Sequence, residues 1–443
     1  MSPQQNKAKA FAHLDEGKLG WFHIKTVLIA GAGFFSDAYD IFVISQALPM
    51  IYQVYFGPQY ISGKFPADFS APGEAQIVKT PQNVKVDFAN NYPNGVHMDA
   101  WLKACTNWGN LIGQISFGIA GDSHGRKAVY GFELMVIIIC TIGSVLTGTT
   151  FYGANILHIL SFWRFFLVSE LEETTQFVGD AEIAARDVEL ALQGKAVIGN
   201  NNALKKNKVN KVSDFKTYFS QWKNMKILIG TAYTWFALDV AWYGLALNQS
   251  TVLNLINFNG PQKVSINVTD KNGVTTLQKV MPPVDIQDIF YQTAVGNIII
   301  ACAGTVPGYW FTVFLIEKLG RKPIQYMGFA VITICLIILA ATWDTISHNQ
   351  TAFMAVFTIA QFFFQFGPNT TTFVIPGEVF PTRFKATCHG ISAAAGCWSI
   401  LATNTVTVLS TFAVIMATGG LATALLPETR GKTLEELSGE DEE

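Results

Sequence analysis

Residues 317–322 read EKLGRK, and residues 122–127 read DSHGRK. In both, an acidic residue opens the hexamer and Gly-Arg-Lys closes it. Each also follows the second strong apolar run of its part of the chain. A short loop facing the cytoplasm collects Gly, Arg and Lys under the positive-inside tendency alone. That accounts for the charges and not for the matched order. The order predicts an internal repeat: two related halves packed around a central pathway.

Outward from these loops, apolar runs cover 24–50, 100–120, 131–150, 225–247, 291–313, 324–343 and 352–376. The run 153–168 (GANILHILSFWRFFLV) is shorter and contains Arg164. A span needs roughly 20 apolar residues to cross about 30 Å of hydrocarbon. From Cys388 to Leu425 there is room for a hairpin of two short spans turning near Asn404, which brings the expected total to ten. Composition agrees: of 443 residues 50% are hydrophobic and 14% charged, against about 25% charged in soluble chains. The 30 basic and 32 acidic residues nearly cancel and point to no nucleic-acid partner. The N-terminal stretch MSPQQNKAKAFAHLDEGK is polar and does not read as a signal peptide. Six cysteines lie in or beside apolar runs without paired spacing, which suggests neither a disulfide framework nor a zinc site. GDSHGRKA lacks the Gly-x4-Gly-Lys spacing of a P-loop, and no nucleophile motif or metal cluster is visible. The reading is therefore a membrane protein that is not an enzyme and has no cofactor.

Basic residues near span ends set the orientation. Lys7, Lys9, Lys18 and Lys25 place the N-terminus in the cytoplasm. Alternation puts both Gly-Arg-Lys loops, PTRFK (381–385), segment 169–223 and the C-terminus on the same side. The loop from Ile51 to Asp99 carries only Lys64, Lys79 and Lys85 and falls outside. This divides the chain into an N-terminal membrane half (1–168, four spans, the last short), a cytoplasmic linker (169–223) and a C-terminal half. The C-terminal half (224–443) has six spans, the last two short, and an acidic tail.

Several polar residues fall where lipid would otherwise be expected. In FFSDAYDIF (34–42), Asp37 and Asp40 share one helix face. They lie roughly 18–23 Å along the axis from Lys25. An ionised carboxylate at that depth costs about 2.5–3.5 kcal/mol, so the pair must face a wet cavity or take up protons. WFALDVAWYGLALNQS (235–250) sets Trp235, Asp239 and Tyr243 at i, i+4 and i+8. That stripe offers an indole N–H, a carboxyl and a phenol. Aromatic stripes ordinarily pack; Asp239 at the centre makes packing insufficient. Gln365 and Asn369 flank Gly367-Pro368, where a proline frees carbonyls of the kind tolerated beside cavities. Asn369 is a candidate ligand or a helix-to-helix hydrogen bond. Glu133 reads equally as interfacial or functional, and Arg164 needs a structural partner or a substrate anion. The glycines of GNLIGQISFGIAG (109–121) permit close helix packing. Asn267-Val268-Thr269 reads as a glycosylation acceptor in a polar loop, 251–287.

A family resemblance rests on GFFSDAYDIFVIS, GDSHGRKAVYG, NILHILSFWRFFL, TWFALDVAWYGLALNQS, GYWFTVFLIEKLGRKPIQYMGF, FGPNTTTFVIPGEVFPTRFKATCHGISAA and LLPETRGKTLEELSGE. With these the chain resembles the proton-coupled inorganic phosphate transporters of fungi and plants, within the major facilitator superfamily. The resemblance implies an all-α, polytopic, two-half helical bundle in the plasma membrane, moving phosphate and protons by alternating access. It also implies phosphate contacts at Trp235, Asp239, Tyr243 and Asn369, and proton coupling at Asp37, Asp40, Glu133 and Asp239. The Asp122/Arg126 and Glu317/Arg321 loops would latch the cytoplasmic gate. The chain departs from the family after WRFFL. There the family continues through a Gly-rich segment ending in GGDYPLS and two further helices. Here VSELEETTQFVGDAEIAARDVELAL follows directly. The end of span four and spans five and six are thus missing, leaving about ten spans instead of twelve. Two further readings follow: a non-transporting or regulatory relative that associates with full-length transporters, and a carrier of another small solute such as a sugar or organic acid.

Overall fold

The computed structural model describes residues 95–124, 126–147, 156–167, 211–256, 258, 264–269, 275–280, 286–381, 384–397, 405–432 and 436–437, with scattered positions from 21 to 51. The described positions between 21 and 51 are helical. Asp37 and Asp40 lie outside the described residues, as does the expected turn near Asn404.

Three helices follow: α1 (Gly95–His124), α2 (Arg126–Leu146) and α3 (Ile156–Phe166). Then come α4 (Lys211–Ser220), α5 (Trp222–Ala246) and the short α6 (Gln249–Leu255). The next pair is one long rod, α7 (Ile286–Ile300) and α8 (Val306–Leu319), joined by a π turn at Ala301–Thr305. Pro307 explains the turn: it has no N–H to donate, and its ring pushes the preceding carbonyl aside. The remaining helices are α9 (Arg321–Ala341), α10 (Gln350–Gln365), α11 (Pro368–Val379), α12 (Lys385–Ala394) and α13 (Thr405–Ala422).

Local chemistry sets the boundaries. Asn349 caps α10 by accepting from the Ala352 N–H at 3.1 Å. Gly367-Pro368 ends α10 and begins α11, with proline in the first turn where its missing N–H costs nothing. The Gln365 carbonyl at this break accepts from the Thr312 and Thr370 hydroxyls at 3.0 and 2.9 Å. The freed carbonyl is therefore satisfied by side chains.

Helix α5 is the axis of the described C-terminal half. Ala237, Leu238, Val240, Ala241 and Leu245 join α9, α10 and α13 in one apolar core with Phe329, Phe357, Phe364 and Phe412. A second cluster joins Ile41, Ile44 and Leu48 to Leu102, Leu157, Leu160 and Leu247, at the far end of α5. A third seats Phe219 of α4 against Phe380, Phe384 and Leu426 at the near end. Helices α1 and α12 approach backbone to backbone. A Cβ on Gly390 would strike the Gln114 carbonyl, and one on Gly118 would lie 2.9 Å from the Ala386 carbonyl.

Among the described residues four helical stretches are long and apolar enough to cross a bilayer: Phe290–Leu319, Arg321–Ala341, Gln350–Val379 and Thr405–Leu425. Two more apolar helices, Met135–Leu146 and Ile156–Phe166, are shorter. The expectation was ten. Helices α1 and α5 have the length, at 30 and 25 residues, but carry polar side chains on their inner faces. By contrast α8 turns Trp310, Phe311, Val313 and Phe314 outward, each at least half exposed. The expected polar loop 251–287 contains an antiparallel hairpin, β1 (Val264–Thr269) with β2 (Thr275–Val280). Its residues V-S-I-N-V-T alternate apolar and polar, the period of a strand. The Asn267 acceptor lies on β1.

Candidate functional site

Within the stripe on α5, Asp239 is 6% exposed and Trp235 stands one turn before it. On its other side is the 3-10 turn Ala395–Cys397 that ends α12. A Cβ built on Gly396 would fall on the Asp239 carboxylate. Only a glycine admits the carboxylate so close to that backbone.

Trp235 extends the site toward α12 and α11. Its ring meets His389 edge-on, with centroids 5.1 Å apart, and His389 meets Phe373 at 5.6 Å. His389 is 4% exposed, and Lys385, one turn before it, is 1% exposed. Tyr243 points elsewhere: it stacks on Phe42 at 6.0 Å and 18°. The third stripe residue thus joins α5 to the first helical segment.

Asn369 forms its own group. Its amide donates to the Tyr309 hydroxyl at 2.8 Å and to the Gln365 side-chain oxygen. It lies one turn before Phe373, which links it to the His389 and Trp235 rings through α11. Tyr309, Gly396 and His389 were not singled out in the sequence. Each is paired through space with an element remote in the chain, and a helical period cannot reveal such partners.

The matched loops differ in their contacts. Arg321 meets Glu378 through Nε at 3.2 Å to both carboxylate oxygens and through a terminal nitrogen at 2.7 Å. It also meets Glu317 at 2.7 Å. The Glu317 side chain is 70% exposed and that of Glu378 22%, so the bidentate Glu378 pair is the stronger. Gly320 between α8 and α9 has φ +94°, a conformation suited to glycine. Glu428 accepts from the backbone N–H groups of Arg321, Lys322, Thr429 and Arg430 at 3.0–3.1 Å, capping α9. In the first loop, Asp122 accepts from the Thr387 backbone N–H at 2.8 Å and its hydroxyl at 2.7 Å. It thereby ties α1 to the first turn of α12. Arg126 and Glu133 lie on α2. The Arg164 guanidinium is 4% exposed and donates to the Ile41 carbonyl at 3.4 Å.

The sequence profile of the family described as sugar (and other) transporter matches residues 25–167 and 266–440. A repressible high-affinity phosphate permease of Neurospora crassa is 31% identical over 568 aligned positions, covering 99% of this chain and 90% of that protein. The inorganic phosphate transporter PHO84 of Saccharomyces cerevisiae is 29% identical, covering 98% of this chain and 87% of its own. A probable inorganic phosphate transporter 1-7 of Arabidopsis thaliana is 29% identical, covering 97% and 94%. Among solved structures, the major facilitator proton:xylose symporter XylE, bound to 6-bromo-6-deoxy-D-glucose, matches with TM-score 0.56 over 93% of this chain and 97% of that one. Its identity of 15% makes this a likeness of fold alone.

Proposed function

The chain belongs to the sugar (and other) transporter family and is related to fungal and plant inorganic phosphate transporters, and from that premise we propose that it carries inorganic phosphate together with protons by alternating access. The family transports and does not catalyse. The observation that carries the reading is Asp239: a carboxylate 6% exposed, held against the Gly396 backbone one turn after Trp235, in the interior of a membrane-type bundle.

The chemistry follows from charge. An anion entering a cell whose interior is negative works against about 2.3 kcal/mol per elementary charge per 100 mV. Co-moving protons offset that cost. An ionised carboxylate facing phosphate repels it, whereas a protonated one donates a hydrogen bond to it. Asp239 couples proton and substrate at one point, with Trp235 and Asn369 as the other phosphate contacts, while Tyr243, stacked on Phe42, joins this site to the first helical segment. Asp37, Asp40 and Glu133 load and release protons in the other half. The Asp122–Thr387 tie and the Arg321–Glu378 pair close the cytoplasmic side. In this reading ten spans form two unequal halves, 1–168 and 224–443, joined by 169–223. Both termini are cytoplasmic, and the membrane is the plasma membrane.

Purified protein in liposomes, with and without an imposed proton gradient, tests this. Asp239→Asn is expected to retain phosphate binding without its pH dependence and to abolish gradient-driven uptake. Equal uptake with the parent's pH profile would remove Asp239 from the mechanism.

One observation favours a second reading, a non-transporting relative that associates with full-length transporters. The family match breaks off at residue 167, and the 443-residue chain is stretched over 568 aligned positions. In this reading the gap is the end of span four and spans five and six, part of the pathway wall. A parent chain that binds phosphate but shows no uptake under a gradient supports the second reading.

A further inference from the structure

One face of α1 is polar and buried, and the stripe on α5 does not account for it. Lys103, Asn107 and Asn110 stand at i, i+4 and i+7 and are 9%, 2% and 2% exposed. Trp101 and Trp108 of the same helix are 47% and 41% exposed, so the polar residues face inward, away from lipid. The Lys103 ammonium donates to the Asn248 side-chain oxygen at 3.0 Å, just past the end of α5. The Asn248 amide nitrogen is held on the Gly244 carbonyl at 2.9 Å, which aims that oxygen at the ammonium.

One turn further in, both amide atoms of Asn107 are buried and without a hydrogen-bond partner. A buried donor or acceptor left unpaired gives up its bonds to water and gains none in return. Such a group calls for an explanation, and a polar occupant that comes and goes supplies one. Helix α1 also packs on the turn Ala395–Cys397, whose Gly396 lies against Asp239. The antiparallel helices α1 and α5 can be counted inward from the Lys103–Asn248 contact. At 1.5 Å per residue Asn107 is about 6 Å in, Asn110 about 10 Å and Asp239 about 13 Å. The polar face descends to the level of the carboxylate.

We propose that Lys103 and Asn107 form a first binding site for phosphate on its way to Asp239. The ammonium supplies the charge and exchanges Asn248 for a phosphate oxygen. The Asn107 amide N–H donates to a second oxygen, and its carbonyl accepts from a P–OH of the monobasic anion. Sulfate at neutral pH has no such proton to give, so the site prefers phosphate and arsenate over sulfate. The inference rests on the phosphate reading above and adds to it a site in the N-terminal half.

Equilibrium binding of radiolabelled inorganic phosphate to the purified full chain tests the site. Maltoside detergent, whose headgroup carries no phosphate, is the medium; arsenate and sulfate are the competitors. Lys103→Gln is expected to weaken binding by about tenfold to a hundredfold, the worth of a hydrogen bond to a charged group. Lys103→Arg should stay within about threefold of the parent. Asn107→Leu, close in size, should weaken phosphate binding and reduce its preference over sulfate while the melting temperature holds or rises. A merely structural role predicts a lower melting temperature with affinity intact. If Lys103→Gln and Asn107→Leu bind like the parent while Asp239→Ala does not, the α1 site is refuted and the transport reading stands. A parent chain that binds no phosphate overturns both.

Discussion

At Gly396 the absence of a side chain is itself a structural requirement. The Asp239 carboxylate occupies the space that a Cβ there would need. Gly396→Ala must shift either the turn or the carboxylate, and overpacking of this kind costs about 1–3 kcal/mol. The variant should melt earlier and bind phosphate more weakly, although no charged or hydrogen-bonding side chain has changed. Thermal unfolding with equilibrium binding checks both; parental values for both would mean that the carboxylate is free to move aside. Asp239 itself was legible in the sequence, because a carboxylate between two aromatics at helical spacing stands out against apolar neighbours. Gly396 and His389 were not, since their importance comes from a helix that packs on α5 from a remote part of the chain. Tyr243 shows the opposite limit. The spacing grouped it with Trp235 and Asp239, but its ring stacks on Phe42 instead.

The two Gly-Arg-Lys loops show the same limit for helices. Their order was visible in the sequence, yet their acidic residues do different jobs. Asp122 caps the start of α12 from another helix, whereas Glu317 is an exposed partner of Arg321. Capping of α9 falls instead to Glu428, which lies far along the chain. Three variants test this. Glu317→Gln removes an exposed contact and should change stability by no more than about 0.5 kcal/mol. Glu378→Gln removes a bidentate partner from a side chain only 10% exposed. Its cost should be about 1–3 kcal/mol, reduced from that of a fully buried pair because Glu378 keeps some solvent. Glu428→Ala should cost about 1–2 kcal/mol by leaving the first N–H groups of α9 uncapped. Thermal melts of the three variants in one detergent rank them, and a Glu317 effect as large as that of Glu378 would contradict the geometry.

For the whole molecule, apolar runs located nearly every described helix, and among the described residues four stretches are long and apolar enough by composition alone to cross a bilayer. Helices α1 and α5 are long and inward-facing, so their polar residues dilute the apolar signal that α8 and α9 give strongly. The hairpin was missed because its strands are short and bounded by polar residues, and composition alone read them as loop. The arrangement that remains fixes a test of sidedness. Helix α4 docks by Phe219 on Phe380 and by Phe215 on Phe384, at the same end as the Arg321 network. Helix α5 then runs 25 residues before the chain reaches α6 and the hairpin. At 1.5 Å per residue that is about 37 Å, more than the roughly 30 Å of hydrocarbon. Ser213 on α4 and Ser265 on β1 should therefore lie on opposite faces of the membrane. Single cysteines at these positions, in a chain whose six native cysteines are replaced by serine, can be probed with an impermeant maleimide on sealed cells. Ser265→Cys should label from outside, and Ser213→Cys only after the membrane is opened. Labelling of both from one side would break the two-half arrangement, because α5 could no longer be a crossing.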